Sequence, residues 1–223
     1  MDGPFGIAFA GPKGKTRDPS EVSIVFNRPM RALTLADEET SAGTVGSSIP
    51  ARIEPSPKGA WRWLGTNAIA FLPDAPLPRA TTFKVTVPGE TRALDGSTLG
   101  KDYVFELSTP GPKVAFVTPG DGSTHLPPKQ TFEVRFDQPV DVKEVQRTAS
   151  MVANEKTKIP FAVERPKPDV PMLVRLVPRG PLPLDAKIEV KVDASLHGIE
   201  GPLPSGEAHV TPVSYTHLTL PTN

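Results

Sequence analysis

Apolar and polar residues alternate with a period of two in short segments along most of the chain. Apolar side chains occupy every second position near residues 22–26, 83–87, 103–107, 132–136 and 188–192. Clusters of Gly, Pro, Asp and Ser separate these segments. Such alternation predicts strands with one buried face, and turn residues between short strands are typical of an all-β sandwich.

Helix-compatible stretches occur only at residues 30–39 and 142–153, and both are short. The alternation also predicts which side chains face inward and form the two cores, because successive side chains of a strand point to opposite faces. The expected inward residues are Val22, Ile24, Phe26, Phe71, Phe83, Val85 and Phe105, followed by Phe132, Val134, Phe136, Leu176, Ile188 and Val190.

The pattern occurs twice in the same order. Segments at residues 7–12, 24–30, 71–78 and 83–87 recur at 114–119, 134–140, 176–183 and 188–192. A nearly constant offset predicts two tandem domains of about a hundred residues, the size of an immunoglobulin-like β-sandwich. We expect the first Ig-like domain at residues 1–110 and the second at residues 111–213.

The two ends of the chain do not follow the pattern of two repeated domains. Residues 214–223 match neither repeat and resemble translated sequencing-adapter sequence, so we expect a non-native tail. On this interpretation the second domain is truncated, and its last strand is interrupted around residues 208–211. The start has no basic segment followed by an apolar one, which predicts either a cytosolic protein or a true N-terminus that lies upstream.

Composition excludes several classes of function. Lys and Arg number 25, as do Asp and Glu, and this balance argues against a sequence-independent nucleic-acid binder. The chain has no cysteine, which excludes disulfides, thiolate metal sites and cysteine nucleophiles. No apolar run approaches the ~20 residues of a spanning helix, so no membrane span is expected.

No motif predicts catalysis, a metal site or a cofactor. Residues 14–16 resemble the end of a phosphate-binding loop, but Phe9 stands where that motif needs glycine, and a turn is the better interpretation. The acidic run at 37–39 is expected to be solvated. The histidines lack metal-ligand spacing and are interpreted as loop residues: His125, His197, His209 and His217.

Two Asp-Gly-Ser sequences, at residues 95–97 and 121–123, are fragments of a possible calcium loop. Each offers one carboxylate, whereas calcium takes six to eight oxygen ligands. Tight turns are the favoured interpretation, because Asp-Gly supplies the positive φ that such turns need.

Trp61 and Trp63 are the only tryptophans, and their spacing places both on one side of an extended segment. An exposed pair would suit stacking on a sugar ring or contact with a partner. The alternative, which the residue types favour, is packing against the core or a strand edge.

The first repeat resembles the N-terminal immunoglobulin-like and macroglobulin-like domains of the bacterial alpha-2-macroglobulin family. The resemblance lies in residues 24–30, 61–65, 70–73, 82–87 and 108–110, and it continues in the second repeat at 136–140 and 201–203. It covers most of the chain up to about residue 211. The Phe–polar–x–Pro block also occurs in other bacterial surface Ig-like repeats, including those of S-layer proteins.

The resemblance implies a non-catalytic scaffold from the N-terminal arm of a large periplasmic or cell-envelope protein that traps proteases. Its partners would be further domains of the same polypeptide, with target proteases bound only by the intact protein. Family members often capture proteases through a Cys-x-Glu-Gln thioester, which this cysteine-free chain does not contain. The alternative is a spacer or adhesive repeat of a cell-surface or S-layer-type protein.

Overall fold

Short strands are the main regular elements of the computed structural model, which describes residues 3–32, 49–123, 126–184 and 186–214. The chain divides into two units, Met1–Pro110 (unit 1) and Gly111–Asn223 (unit 2). This confirms the predicted all-β class and the immunoglobulin-like sandwich architecture.

Unit 1 consists of two four-stranded sheets, with strand orders β1-β3-β6-β5 and β2-β8-β7-β4. Adjacent strands are antiparallel except for β2 and β8, which are parallel. The strands are β1 (Ile7–Gly11), β2 (Gly14–Lys15), β3 (Val22–Phe26), β4 (Arg52–Glu54), β5 (Gly59–Trp63), β6 (Ala68–Pro73), β7 (Thr82–Val87) and β8 (Tyr103–Ser108).

Unit 2 also contains two four-stranded sheets, ordered β13-β14-β10-β9 and β12-β11-β15-β16. A short helix, α1 (Val142–Thr148), connects them. The strands are β9 (Val114–Thr118), β10 (Phe132–Phe136), β11 (Ala149–Ala153), β12 (Thr157–Lys158), β13 (Phe161–Glu164), β14 (Leu173–Pro178), β15 (Lys187–Val192) and β16 (His209–Ser214).

Each unit has its own apolar core, and all the side chains predicted to face inward are buried. Phe26 and Phe83 are fully buried in unit 1, as are Phe132 and Ile188 in unit 2. Burying side chains of this size contributes about 1.5–3 kcal/mol each, so many contacts share the stabilisation of each sandwich.

Only the first part of the predicted helical stretch 142–153 is helical. The Asp141 side chain caps α1 by accepting a hydrogen bond from the Lys143 amide at 2.7 Å. From Ala149 onward the chain forms β11 instead, because Met151 and Ala153 fill the core and pair with Val190 and Ile188 of β15. The other predicted stretch, 30–39, lies largely outside the described residues.

The final strand of unit 2 is continuous, which corrects the expected interruption near residues 208–211. All six residues of β16 pair with β15, and the side chains of Thr211 and Val213 are buried. β16 occupies the position that β8 has in unit 1, beside β15 as β8 is beside β7. Of the expected tail, Ser214 ends this strand, and residues 215–223 lie outside the described range.

In the part of the chain that the structure describes, no helix has the length and apolar character needed to cross a lipid bilayer.

Candidate functional site

Trp61 and Trp63 lie on β5, at the edge of the first sheet of unit 1. Both side chains are half-buried and pack against the unit 1 core. The Trp61 ring meets Phe71 edge-on, with centroids 5.6 Å apart, and the Arg31 guanidinium lies over the Trp63 ring at 5.5 Å. Arg62, between the two tryptophans, is exposed.

Among the strands that the structure describes, β5 pairs with β6 alone. The Leu64 amide donates to the Ala68 carbonyl at 2.8 Å, and the Lys58 carbonyl accepts from the Asp74 amide at 3.1 Å. Because hydrogen-bonding direction alternates along an antiparallel strand, the amides of Trp61 and Trp63 point away from β6. No described residue accepts a hydrogen bond from either amide.

The corresponding edge of unit 2 is closed by a side chain. Gln146 of α1 accepts a hydrogen bond from the Val163 amide at 3.0 Å and donates to the Phe161 carbonyl at 3.5 Å. The Gln146 amide group therefore takes the place of a neighbouring strand along β13. No sequence pattern predicts this contact, because a single glutamine on a helix surface has no distinguishing neighbours.

The repeated Phe–polar–x–Pro block has a structural role in both units. The Asn27 side chain accepts a hydrogen bond from the Gly6 amide at 2.9 Å, and Asp137 accepts one from the Lys113 amide at 2.7 Å. Each block thereby fixes the chain that enters the first strand of its unit.

The proline carbonyl of each block makes a second repeated contact. Pro29 accepts a hydrogen bond from the Leu94 amide at 2.8 Å, and Pro139 accepts one from the Ile199 amide at 3.2 Å. Each proline thus fixes the connection between the last two strands of its unit.

Residues 95–97 form a tight turn, as predicted. The Ala93 amide donates to the Ser97 carbonyl at 2.9 Å, and Gly96 has a φ of 86°. Hydrogen bonds from the hydroxyl and amide of Ser97, aided by Arg28 at 2.6 Å, lower the pKa of Asp95 to about 2. Asp95 therefore stabilises this turn.

Residues 121–123 also form a turn, with the Ser123 amide donating to the Gly120 carbonyl at 3.2 Å and Gly122 at a φ of 74°. Residues 14–16 belong to strand pairing rather than to a phosphate loop, since the Thr16 amide donates to the Ser108 carbonyl at 2.8 Å. The acidic run 37–39 lies outside the described residues.

Glu144 is the centre of a polar cluster in unit 2. It accepts hydrogen bonds from the Arg147 guanidinium at 2.7 Å and from the His197 amide at 3.1 Å. The His197 ring nitrogen Nδ1 lies 3.3 Å from the same carboxylate. The bonds from Arg147, followed by those from His197, lower the pKa of Glu144 to about 2. The cluster joins α1 to the loop after β15.

His209 is a strand residue, which corrects the prediction that it lies in a loop. His209 lies on β16 with Nε2 at 2.8 Å from the Thr211 hydroxyl, and burial lowers its pKa. His125 and His217 lie outside the described residues. Within the described ranges, no three His, Asp or Glu side chains are grouped so that they could hold a metal ion.

Glu189 is nearly buried on β15 between two lysines of the same strand. Its carboxylate lies 2.8 Å from Lys191 Nζ and 3.2 Å from Lys187 Nζ. Hydrogen bonds from these lysines, Lys191 first, lower its pKa. Glu189, like Asp95 and Glu144, is thus held ionised by donors of its own unit, an arrangement suited to fixing loops and strands rather than to proton transfer.

Comparison with known proteins gives a family match that covers most of unit 2. Residues 108–216 match a family model described as a bacterial Ig-like domain. No match was found among curated proteins.

Three solved structures illustrate a weak structural similarity. An LD transpeptidase in complex with imipenem is 22% identical over 48% of this chain, which spans 41% of that protein, with a TM-score of 0.33. A part of native alpha-2-macroglobulin from Escherichia coli that spans domains MG0-NIE-MG1 is 13% identical over 95% of this chain and 72% of that part, with a TM-score of 0.31. An I-band fragment of titin is 9% identical over 97% of this chain and 66% of the fragment, with a TM-score of 0.30. The family comparison therefore shows residues 108–216 to be similar to a bacterial Ig-like domain.

Proposed function

We propose that this chain is a non-catalytic scaffold of two tandem Ig-like domains in a bacterial protein that acts outside the cytoplasm. The observation that carries this proposal is the duplicated hydrogen-bond framework around Asn27 and Asp137. The acidic groups with lowered pKa values, Asp95, Glu144 and Glu189, serve the same structural purpose within their units. Bacterial Ig-like domains are typically extracellular or surface-associated, which supports the location.

We further propose that the scaffold belongs to the N-terminal arm of an alpha-2-macroglobulin-like protease trap in the periplasm or cell envelope. The motif resemblance at residues 24–30, 61–65 and 136–140 supports this proposal. The partners would be further domains of the same polypeptide, and proteases would be bound by the intact protein. The balanced charge gives no basis for nucleic acid as a partner.

A second candidate is a spacer repeat of a cell-surface or S-layer-type protein. The match of residues 108–216 to a bacterial Ig-like domain favours this candidate, because that match names no protease-trapping family. Both candidates use the same fold, so the fold does not decide between them.

Long-read sequencing of the source locus through both ends of the reading frame distinguishes the candidates. Continuation into many further β-sandwich domains and a Cys-x-Glu-Gln segment would support the protease trap. A frame that closes after a few more repeats, or enters S-layer sequence, would support the spacer. Entry into a catalytic domain would contradict the trap and leave these units as its accessory scaffold.

A further inference from the structure

The tripeptide Asp-Gly-Ser occurs twice in the chain, and the fold holds the two copies differently. Residues 95–97 lie between β7 and β8, and residues 121–123 lie between β9 and β10. Both aspartates are exposed. Gly96 and Gly122 have φ values of 86° and 74°, and an added Cβ at either would meet no described atom within 4 Å. The conformation of the glycine and the space around it are therefore alike in the two copies.

An Asp-Gly sequence can undergo a reaction between its own two residues. The glycine nitrogen attacks the side-chain carboxyl carbon of the aspartate, so that a C–N bond forms and a C–O bond breaks. The carboxyl hydroxyl and the nitrogen proton leave together as water, and a five-membered succinimide ring remains. Glycine favours this step because it has no side chain to hinder the approach.

Water then opens the succinimide ring at one of its two carbonyl carbons. Opening at the former side-chain carbon restores aspartate. Opening at the main-chain carbon gives isoaspartate, in which the main chain continues through the side-chain carboxyl carbon. The whole sequence consumes and returns one water and needs no oxidant, reductant or enzyme.

In the first copy, hydrogen bonds hold both of the groups that would have to react. Oδ1 of Asp95 accepts hydrogen bonds from the amide of Ser97 at 2.9 Å and from its hydroxyl at 2.5 Å. Oδ2 accepts one from the Arg28 guanidinium at 2.6 Å. The Gly96 nitrogen donates to the Ala93 carbonyl at 3.0 Å. Ring closure at Asp95 therefore requires that several hydrogen bonds break first.

The charge state of Asp95 opposes ring closure as well. The protonated carboxyl reacts more readily, because its hydroxyl is a better leaving group than the oxygen of a carboxylate. The hydrogen bonds from Ser97, aided by Arg28, lower the pKa of Asp95 to about 2. The protonated form of Asp95 is therefore scarce at neutral pH.

In the second copy, the serine amide has a different acceptor. The Ser123 amide donates to the Gly120 carbonyl at 3.2 Å, whereas the Ser97 amide donates to the carboxylate of its own tripeptide. A main-chain bond thus replaces the bond that ties Asp95 in position. The exposed carboxylate of Asp121 is not held by its own serine amide, so that amide does not restrain it from approaching the Gly122 nitrogen.

We propose that Asp121–Gly122 is a site of spontaneous isoaspartate formation, and that the contacts of Asp95 with Arg28 and Ser97 protect the identical sequence in unit 1. The product adds one atom to the main chain in the connection between β9 and β10. The proposal is independent of whether the whole protein traps proteases or acts as a spacer.

Peptide mapping of the full chain after prolonged incubation at neutral pH tests the proposal. Chromatography separates peptides that contain isoaspartate from their aspartate isomers of equal mass, and fragmentation assigns the position. The mapping also separates a third Asp-Gly sequence, Asp2–Gly3, whose aspartate lies outside the described residues. We expect isoaspartate to accumulate about tenfold faster at Asp121 than at Asp95. Equal rates at the two positions would overturn the proposal.

The same chain in denaturant is the matched reference for the effect of the fold. Because the two tripeptides are identical, we expect similar rates at Asp95 and Asp121 once the chain is unfolded. A difference that persisted in denaturant would assign the protection to neighbouring residues in the sequence and would contradict a role of the fold.

Ser97→Ala tests the protecting contact, with Ser123→Ala as the matched control. Loss of the Ser97 hydroxyl should raise the rate at Asp95 about three- to tenfold, with tryptophan fluorescence confirming that unit 1 stays folded. Ser123→Ala should leave the rate at Asp121 nearly unchanged, because the main-chain amide of Ser123 makes the bond in that turn. Asp121→Glu should remove the product at this position, because the longer side chain does not close a five-membered ring. An unchanged rate at Asp95 in Ser97→Ala would overturn the assigned protection.

Discussion

The side-chain oxygen of Asn27 lies 2.9 Å from the amide nitrogen of Gly6, and this contact fastens the entering chain of unit 1 to the end of β3. The Asn27 amide group also donates to the Pro4 carbonyl at 2.9 Å. In unit 2, Asp137 makes the equivalent contact with Lys113. Residues 27 and 137 are both polar because each must accept a hydrogen bond from a backbone amide, and both Asn and Asp carry a suitable side-chain oxygen.

Removal of this acceptor should destabilise only the unit that contains it. We expect Asn27→Ala to lower the free energy of unfolding of unit 1 by about 1–2 kcal/mol, because a partly buried amide loses its partner. Denaturant unfolding followed by tryptophan fluorescence measures unit 1 alone. Asn27→Asp keeps the acceptor and should lose less. If Asp137→Ala shifted the same fluorescence transition as much, the assignment of each contact to its own unit would be wrong.

Substitution of equivalent buried phenylalanines should also act within each unit. Phe26→Ala and Phe136→Ala each remove a fully buried ring and should cost about 3–5 kcal/mol. Only Phe26→Ala should shift the fluorescence transition, while circular dichroism should detect both. Phe9→Ala is the matched control, because Phe9 is 57% exposed and its loss should cost little.

Acid should weaken unit 2 through Glu144. The pKa of Glu144 is about 2 in the folded chain against a reference value of 4.5, so the folded state favours the ionised form. Its stabilisation is present above pH 4.5 and is lost as the pH falls toward 2. We expect Glu144→Gln to reduce stability at pH 6 by about 1–2 kcal/mol, allowing for solvent screening of the exposed Arg147, and to have a smaller effect near pH 2.

Calorimetric unfolding of wild type and Glu144→Gln across this range measures the difference. Lys143→Gln, on the same helix with an exposed side chain, is the control for a changed helix charge. A stability difference between wild type and Glu144→Gln that did not vary with pH would contradict the lowered pKa.

Gly59 should not tolerate a side chain. Its φ is 151°, and an added Cβ would lie 2.5 Å from the Leu72 carbonyl oxygen and 2.7 Å from the Phe71 ring. We expect Gly59→Ala to destabilise unit 1 by about 1–3 kcal/mol, because backbone atoms must shift. Gly180→Ala, which meets no atom within 4 Å, is the control and should be nearly neutral. Equal thermal unfolding midpoints of the two variants would show that the β5 backbone accommodates the added Cβ without loss of stability, contrary to this prediction.

Loss of Gln146 should open the edge of β13. We expect Gln146→Ala to increase hydrogen exchange at the Val163 amide, because its acceptor is removed. Exchange at the Leu176 amide of the interior strand β14 should change little. Unchanged protection at Val163 would mean that another group covers this edge.

Much of the fold follows from local pattern. The alternation at residues 22–26 and 83–87 predicts strands because inward positions such as Ile24 and Val85 must be apolar. β4 and β12 are too short to show a period. The sequence predicts the end of a helix at residues 149–153, but these residues form β11, because their strand state depends on pairing with β15.

The candidate site was only partly accessible from sequence. The chain has two tryptophans, so composition alone singles out residues 61 and 63. That their strand lies at a sheet edge depends on the strand order of the whole unit, which is not encoded in residues near β5. The sequence motif around Asn27 was visible, but its partner Gly6 has no side chain that could have identified it.

The parallel pairing of β2 with β8 has a mechanical consequence. These two strands hold the beginning and the end of unit 1 side by side, with Gly14 opposite Leu107 and Lys15 opposite Ser108. Opposite forces on the two ends of unit 1 shear these parallel strands along each other. Their hydrogen bonds then carry the load together and do not break one by one. We therefore expect tension on the two ends of unit 1 to load this two-residue contact in shear.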